Sequence, residues 1–202
     1  MKTTIAFLLG ICLLITAPVT AQDKSKKKAM ASQEEMMKQW QEAMTPGEAH
    51  KVLEPFVGSW ETESKTWMGG PDKPPAVSKG TAEVKWVLGG RFLQQEMTGE
   101  MMGMPMSGVG FSGYDNFKKK YNSFWIDNTA TAMFTSEGTL SKDGKVLIYY
   151  GKMDEPMTGE KDKKVKFVDT IINHDKHIFE IHDLALRSPN QKVVEIVYER
   201  KK

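Results

Sequence analysis

The sequence predicts a mainly β protein: an antiparallel up-and-down β-barrel of about ten strands, preceded by one or two short helices. Three observations predict it. From Gly58 onward the chain is a series of short, evenly spaced β-type runs punctuated by turn residues. No helix-length apolar period intervenes, so consecutive runs should pair antiparallel. Several runs also mix polar and apolar residues on both faces, as between Trp60 and Trp67. An inner face carrying Thr, Gln or Ser is odd for a packed sandwich and natural for a barrel with a partly wet lumen. Closure also removes exposed sheet edges.

The strands are expected near 58–67, 77–88, 91–100, 105–114, 120–127, 131–140, 145–153, 164–172, 177–186 and 192–200. Gly89-Gly90 and Asp143-Gly144 are hairpin signals, because such turns require positive φ. Residues 114–118, 173–176 and 188–191 read as longer polar connections. Ahead of the strands, Ser32 with Glu35 and Thr45 with Glu48 have the spacing of capping boxes. Met36, Met37, Trp40 and Met44 then fall at helical spacing, as do Ala49, Val52, Leu53 and Phe56. Pro46 suits the first position of the second helix. Both stripes are expected to face the barrel.

The first residues have the parts of a secretory signal. Lys2 is followed by an apolar run over residues 5–15, and Val19-Thr20-Ala21 offers small residues for cleavage. The run is too short to span a bilayer, which takes about 20 apolar residues. The expected division is a signal peptide over 1–21, a basic disordered tail over 22–31, a helical lead-in over 32–56 and a barrel over 57–202. The protein is therefore expected outside the cytoplasm, periplasmic or secreted, with no integral membrane segment after cleavage. The one cysteine, Cys12, lies inside the signal, so no disulfide is expected. The chain beyond Ala21 is long enough for one domain and short for two. A formal charge of +2 with both signs mixed along the chain argues against nucleic acid as a partner.

Several segments resemble a bacterial family named as domain of unknown function 1579. They are Thr45-Pro46-Gly47 through His50, Leu53 to Gly58-Ser59-Trp60, Gly89-Gly90-Arg91-Phe92-Leu93, the block from Gly99 to Pro105, Gly113-Tyr114-Asp115-Asn116, and Pro156-Met157-Thr158-Gly159. That family is similar to the calycin barrels, which include lipocalins and fatty-acid-binding proteins. Gly58-x-Trp60 resembles the lipocalin motif in which a first-strand tryptophan closes one barrel end beneath an N-terminal helix. The resemblance implies a fold but no activity.

Residue chemistry nominates the candidate sites. Gly108-Val109-Gly110-Phe111-Ser112-Gly113 spells a dinucleotide fingerprint, but the chemistry needs a helix after that loop, and turn residues stand there instead. The glycines are better read as a close-packed or bent strand. Met97, Met101, Met102, Met104 and Met106 could offer soft sulfur to Cu(I). With no His or Cys in the cluster, an adaptable apolar rim at a barrel mouth is preferred. Of the four histidines, His50 belongs to the second helix and His174 to a turn. His177 and His182 should point to opposite faces of one strand, so one could face the lumen. Calycin relatives of the nitrobindin type bind haem through such a histidine. They carry a glycine-rich first strand, whereas this chain has Glu61, Glu63 and Ser64. Arg91 could meet a ligand carboxylate, or sit in an ion pair. The chain has no nucleophile elbow, zinc-helix motif or thiol nucleophile beyond Cys12.

The reading is a non-enzymatic binder of a small, partly apolar molecule, with no cofactor. Trp60, Arg91, Met101, Met102, Met104, Tyr114 and Trp125 are the candidate ligand-binding residues. The alternatives are a filled barrel serving as a structural or protein-interaction module, and a copper or haem carrier.

Overall fold

A computed structural model describes residues 33–68, 72–156, 158–184 and 191–202. The signal, the basic tail and Ser32 lie outside the described residues. The chain divides into two units at Lys38 and Gln39, and the second, Gln39–Lys202, holds every strand among the described residues.

Helix α1 covers Gln33–Met44 and α2 covers Glu48–Lys51, followed by a 3-10 turn at Glu54–Phe56. Ten strands come next: β1 Gly58–Thr66, β2 Ala76–Val87, β3 Phe92–Met101, β4 Met104–Asp115 and β5 Lys120–Asp127. The rest are β6 Phe134–Leu140, β7 Val146–Glu155, β8 Glu160–Asn173, β9 Lys176–Asp183 and β10 Gln191–Arg200. Each pairs antiparallel with its sequence neighbour, and β1 pairs with β10 to close the barrel. The predicted strands all form. Met102 and Gly103, both at positive φ, make the β3–β4 hairpin.

Register and burial fix which faces look inward. Trp60 pairs with Ala82, Ala82 with Met97, and Thr62 with Tyr198; these side chains are buried, while their neighbours along each strand turn out. Extending the alternation places Thr62, Ser64, Gln95, Ser123 and Ser136 inside among Phe134, Phe167, Phe179, Ile181 and Ile196. The polar residues that argued for a wet lumen do face it.

One end of the barrel is plugged. Leu53 and Phe56 enter the core beside Trp60, and all three are buried. Four clasps hold the plug. The Trp60 indole donates to Phe56 O (2.9 Å), and the Tyr121 hydroxyl to Ala49 O (2.9 Å). The Trp86 indole donates to the Glu54 carboxylate (2.6 Å). Arg200 Nη1 and Nη2 donate to Val57 O (2.7 Å) and Pro55 O (3.0 Å).

The lead-in differs from expectation in two respects. The Thr45–Glu48 capping box does not form. The Thr45 hydroxyl donates back to Gln41 O (2.7 Å), and Gly47 caps α2, its N–H donating to His50 Nδ1 (3.1 Å). The part of the α1 stripe in the second unit is not packed: Trp40 and Met44 are exposed. What secures the end of α1 is polar, because Asn116 Nδ2 reaches Glu42 O, Ala43 O and Thr45 O within 3.2 Å. An apolar stripe shows that a helix can pack, not what it packs on.

Arg200 also lies over the Trp60 ring at 4.2 Å and donates to His174 O through Nε (3.0 Å) and Nη2 (2.8 Å). A lysine cannot reproduce that planar fork. Arg200→Lys is expected to lower unfolding stability by about 1–3 kcal/mol, since several charge-assisted bonds to exposed and half-buried carbonyls are lost together. Chemical denaturation monitored by tryptophan fluorescence measures it, and an unchanged midpoint would contradict the clasp.

Candidate functional site

Successive connections alternate between the two barrel ends. The β2–β3, β4–β5, β6–β7 and β8–β9 turns share the plugged end, so the β1–β2, β3–β4, β5–β6, β7–β8 and β9–β10 connections surround the other end, the mouth. Between plug and mouth the lining changes character. Near the plug, Trp60, Leu93, Tyr121, Leu147, His177 and Tyr198 are buried. Toward the mouth, Trp125, Phe134, Phe167, Phe179, Ile181 and Ile196 point inward but are only half-buried. These six half-buried side chains make the mouth half of the lining a largely aromatic cup, with Val165 and Asp183 buried beside them.

Trp125 is held against one wall of this cup. Its indole lies over Gly108 and Gly110 of β4, where an added Cβ would come within 2.2 and 2.8 Å of the ring. That packing accounts for the glycine fingerprint, which runs along an unbroken strand and opens no helix. Trp125 Nε1 donates to Asp127 Oδ2 (2.7 Å). Burial would raise the Asp127 carboxyl, but hydrogen bonds from the Thr129 hydroxyl, the Trp125 indole and backbone N–H groups outweigh it and hold it below its usual range. On the β8–β9 side Phe167 and Phe179 stack at 6.1 Å.

Below the cup sits a polar tier. Asp169 Oδ1 accepts from His177 Nδ1 (2.9 Å), and Gln95 Nε2 donates to the Tyr198 hydroxyl (3.1 Å). Tyr198 stacks on His177 at 4.1 Å, with Phe56 and Trp60 at near right angles to the imidazole. Burial first, then the charge of Asp169, pushes the Tyr149 and Tyr198 phenols far above their ordinary range. Thr62 Oγ1 and His177 Nε2 are buried without a hydrogen-bond partner.

The candidates chosen from sequence fall in different places. Trp125 lines the cup. Trp60 is fully buried in the plugged end, and Tyr114 packs there against His50 and Tyr121. Arg91 lies outside the lumen: exposed in the β2–β3 turn, it donates to Leu88 O (3.1 Å) and cannot meet a ligand carboxylate inside. Its strand begins after it, at Phe92, and so gives it no inward position. Met101, Met102 and Met104 are exposed on the β3–β4 hairpin, where Met68 and Met133 from the neighbouring connections are exposed as well. Met97 is instead buried, accepting weakly from Tyr198. Asp169 was not singled out from sequence, because both faces of its strand carry apolar residues.

Of the histidine pair, His177 faces inward and His182 outward, against Glu180 (3.1 Å). A haem iron on His177 would need an open Nε2, and that atom is enclosed beneath Tyr198, Phe56 and Trp60. These residues do not fit a haem ligand. Among the described residues no three of His, Cys, Asp or Glu converge as a metal site, and no helix is long and apolar enough to cross a membrane.

A concavity of about 520 Å³ lies on the outer wall among Phe92, Phe111, Phe124 and Tyr150 over Gly113 and Asn122.

The profile of the family described as "Protein of unknown function (DUF1579)" matches residues 45–200, and the chain belongs to that family. No curated protein matches it. The crystal structure of Rv2717c from M. tuberculosis is similar with a TM-score of 0.57 at 18% identity, covering 78% of this chain and 100% of that one. A mutant of the fluorescent protein UnaG (0.43, 15%, covering 74% and 99%) and a de novo designed fluorescence-activating barrel (0.41, 10%, covering 74% and 97%) are more distant. The likeness to Rv2717c is one of fold, and the fold here is a closed antiparallel barrel.

At the plugged end, burial first, then the charge of Arg91, lowers the pKa of His50 against a hydrogen bond to the Tyr114 backbone that raises it. The unfolded chain then takes up a proton that the folded chain refuses. The His50 contribution to stability is complete above about pH 6.5 and is lost as pH falls through that value toward the lowered folded one. Stability measured from pH 7.5 to 5 should fall more steeply for wild type than for His50→Gln, and parallel curves would refute this.

Proposed function

We propose that this chain is an exported, non-enzymatic binding protein that holds one small, partly apolar molecule in the mouth half of its lumen. The observation that carries the reading is the half-buried ring of Trp125, Phe134, Phe167, Phe179, Ile181 and Ile196 above a packed, polar tier. Apolar side chains left facing accessible space favour an apolar guest, because each CH₂ removed from water contributes about 0.8 kcal/mol. The Ser and Thr residues interleaved with them supply the few oriented polar contacts typical of small-molecule sites. The exposed methionines of the mouth suit an adaptable rim through which such a guest passes.

Fluorescence titration of the full chain with the neutral dye N-phenyl-1-naphthylamine tests the reading. Saturable one-to-one binding is expected, weakened about fivefold or more by Trp125→Ala, since a fixed aromatic contact is worth roughly 0.5–1.5 kcal/mol beyond its area. Absence of saturable binding rejects it. The outer-wall concavity favours a second reading, a module that meets a partner through Phe111 and Tyr150. In that case Phe111→Ser, and not Trp125→Ala, would remove the dye.

Export rests on the signal anatomy of residues 1–21. The mature protein should begin at Gln22 and be recovered outside the cytoplasm. Intact mass of the native protein decides this, and a cytoplasmic species retaining residues 1–21 would overturn it.

A further inference from the structure

We propose that the lumen selects guests whose polar end is a cationic hydrogen-bond donor, an amine on an apolar body, and that Asp169 is the residue that selects it. The inference rests on the binding reading above and adds the chemical class of the guest.

The charges that face the lumen decide the matter. Arg200 is committed to the carbonyls of Pro55, Val57 and His174 and lies over Trp60 at the plugged end. Arg91 is outside the barrel. Lys163 faces inward at the mouth, but its ammonium is 2.9 Å from Asp183, with Glu155 and Glu160 within 3.9 Å. Among the described residues no cation is therefore left to greet a carboxylate in the cup. Of the inward acids, Asp183 is paired with Lys163, and Asp127 accepts from Trp125 and Thr129.

Asp169 is different. One of its oxygens accepts from His177, its other oxygen has no partner among the described residues, and its side chain keeps 20% exposure. Pairing with Leu147 and Phe179 turns that exposure toward the lumen. His177, buried beneath it, fixes the carboxylate's direction, and the stack on Tyr198 fixes His177 in turn. A carboxylate held in place, half-shielded from water and one bond short is a strong partner for an N–H⁺ donor and repels an anion. Phe179 and Ile196, the inward residues next to it across β9 and β10, supply apolar contact for the carbon adjoining an amine.

The test uses three guests of equal length, octylamine, octanol and octanoic acid, each displacing N-phenyl-1-naphthylamine from the full chain near pH 7. Wild type is expected to rank amine over alcohol over acid, with the amine about tenfold or more tighter than the acid, as a charge-assisted bond set against a repulsion requires. Asp169→Asn keeps the shape and should bring amine and alcohol within about twofold while leaving dye binding within about threefold. Equal or tighter binding of the acid by wild type overturns the inference, as does an amine advantage that survives in Asp169→Asn. Should that variant not fold, the wild-type ranking decides alone. If the dye itself is not bound, the binding reading falls and this inference with it. If the dye binds without preference among its competitors, only this inference falls.

Discussion

The contact on which the rest of the barrel depends is Arg200 lying over Trp60. Trp60 is the third residue of the first strand and Arg200 the last of the tenth, and they are register partners where the sheet closes on itself. A closed sheet has no edge, but closure joins the most distant strands of the chain and carries its largest loop-closure cost. At this seam one side chain meets three demands together. The guanidinium covers the indole face at 4.2 Å, reaches the carbonyls of Pro55 and Val57 in the plug, and reaches His174 O in the β8–β9 turn. Strand closure, the plug and the neighbouring turn thus share one charged group whose five N–H donors fit the geometry.

From that seam the lumen acquires its gradient. Sealing one end lets Leu53, Phe56 and Trp60 pack without water. The tier above can then hold His177 buried, because aromatic rings surround it and Asp169 accepts its N–H. Beyond Asp169 the inward rings of Phe167, Phe179 and Trp125 are half-buried. The cup is thus the part of the interior that the plug does not reach.

Much of this was legible in the sequence, and the reasons for the rest are physical. Strands joined by hairpin glycines, as β2 to β3 at Gly89-Gly90 and β6 to β7 at Gly144, announced their limits because glycine tolerates the positive φ that a turn demands. The plug was legible through Leu53 and Phe56, which have no polar function to confuse the reading. The fate of α1 was not. Trp40 and Met44 have the spacing of a packed face and are exposed, because the polar clasp of Asn116 on its last carbonyls comes from a turn more than seventy residues away. Arg91 and Arg200 show the same limit: both close a strand end, and only the pairing of β1 with β10 separates a surface turn residue from the central clasp.

Asp169 shows why a site is harder to read than a fold. Along β8 the inward set is Val165, Phe167, Asp169 and Ile171, and the outward set includes Val168 and Ile172, so both faces are apolar and alternation cannot say which looks inside. A one-residue slip in register would put Asp169 into solvent and Thr170 into the lumen. The neighbours settle it, because Leu147 and Tyr149 on β7 are buried and pair with Asp169 and Phe167. The same logic reaches Trp125. Its place in the cup is set by two glycines on β4 that leave room for an indole, and those glycines suggested a phosphate loop when read alone. In a barrel the meaning of a residue is therefore decided across the sheet more than along the chain. The polarity of the lumen obeys the same rule: among the described residues its cations are drawn into the plug and the mouth by partners on other strands, and the carboxylate of Asp169 faces the cup with one oxygen unpartnered.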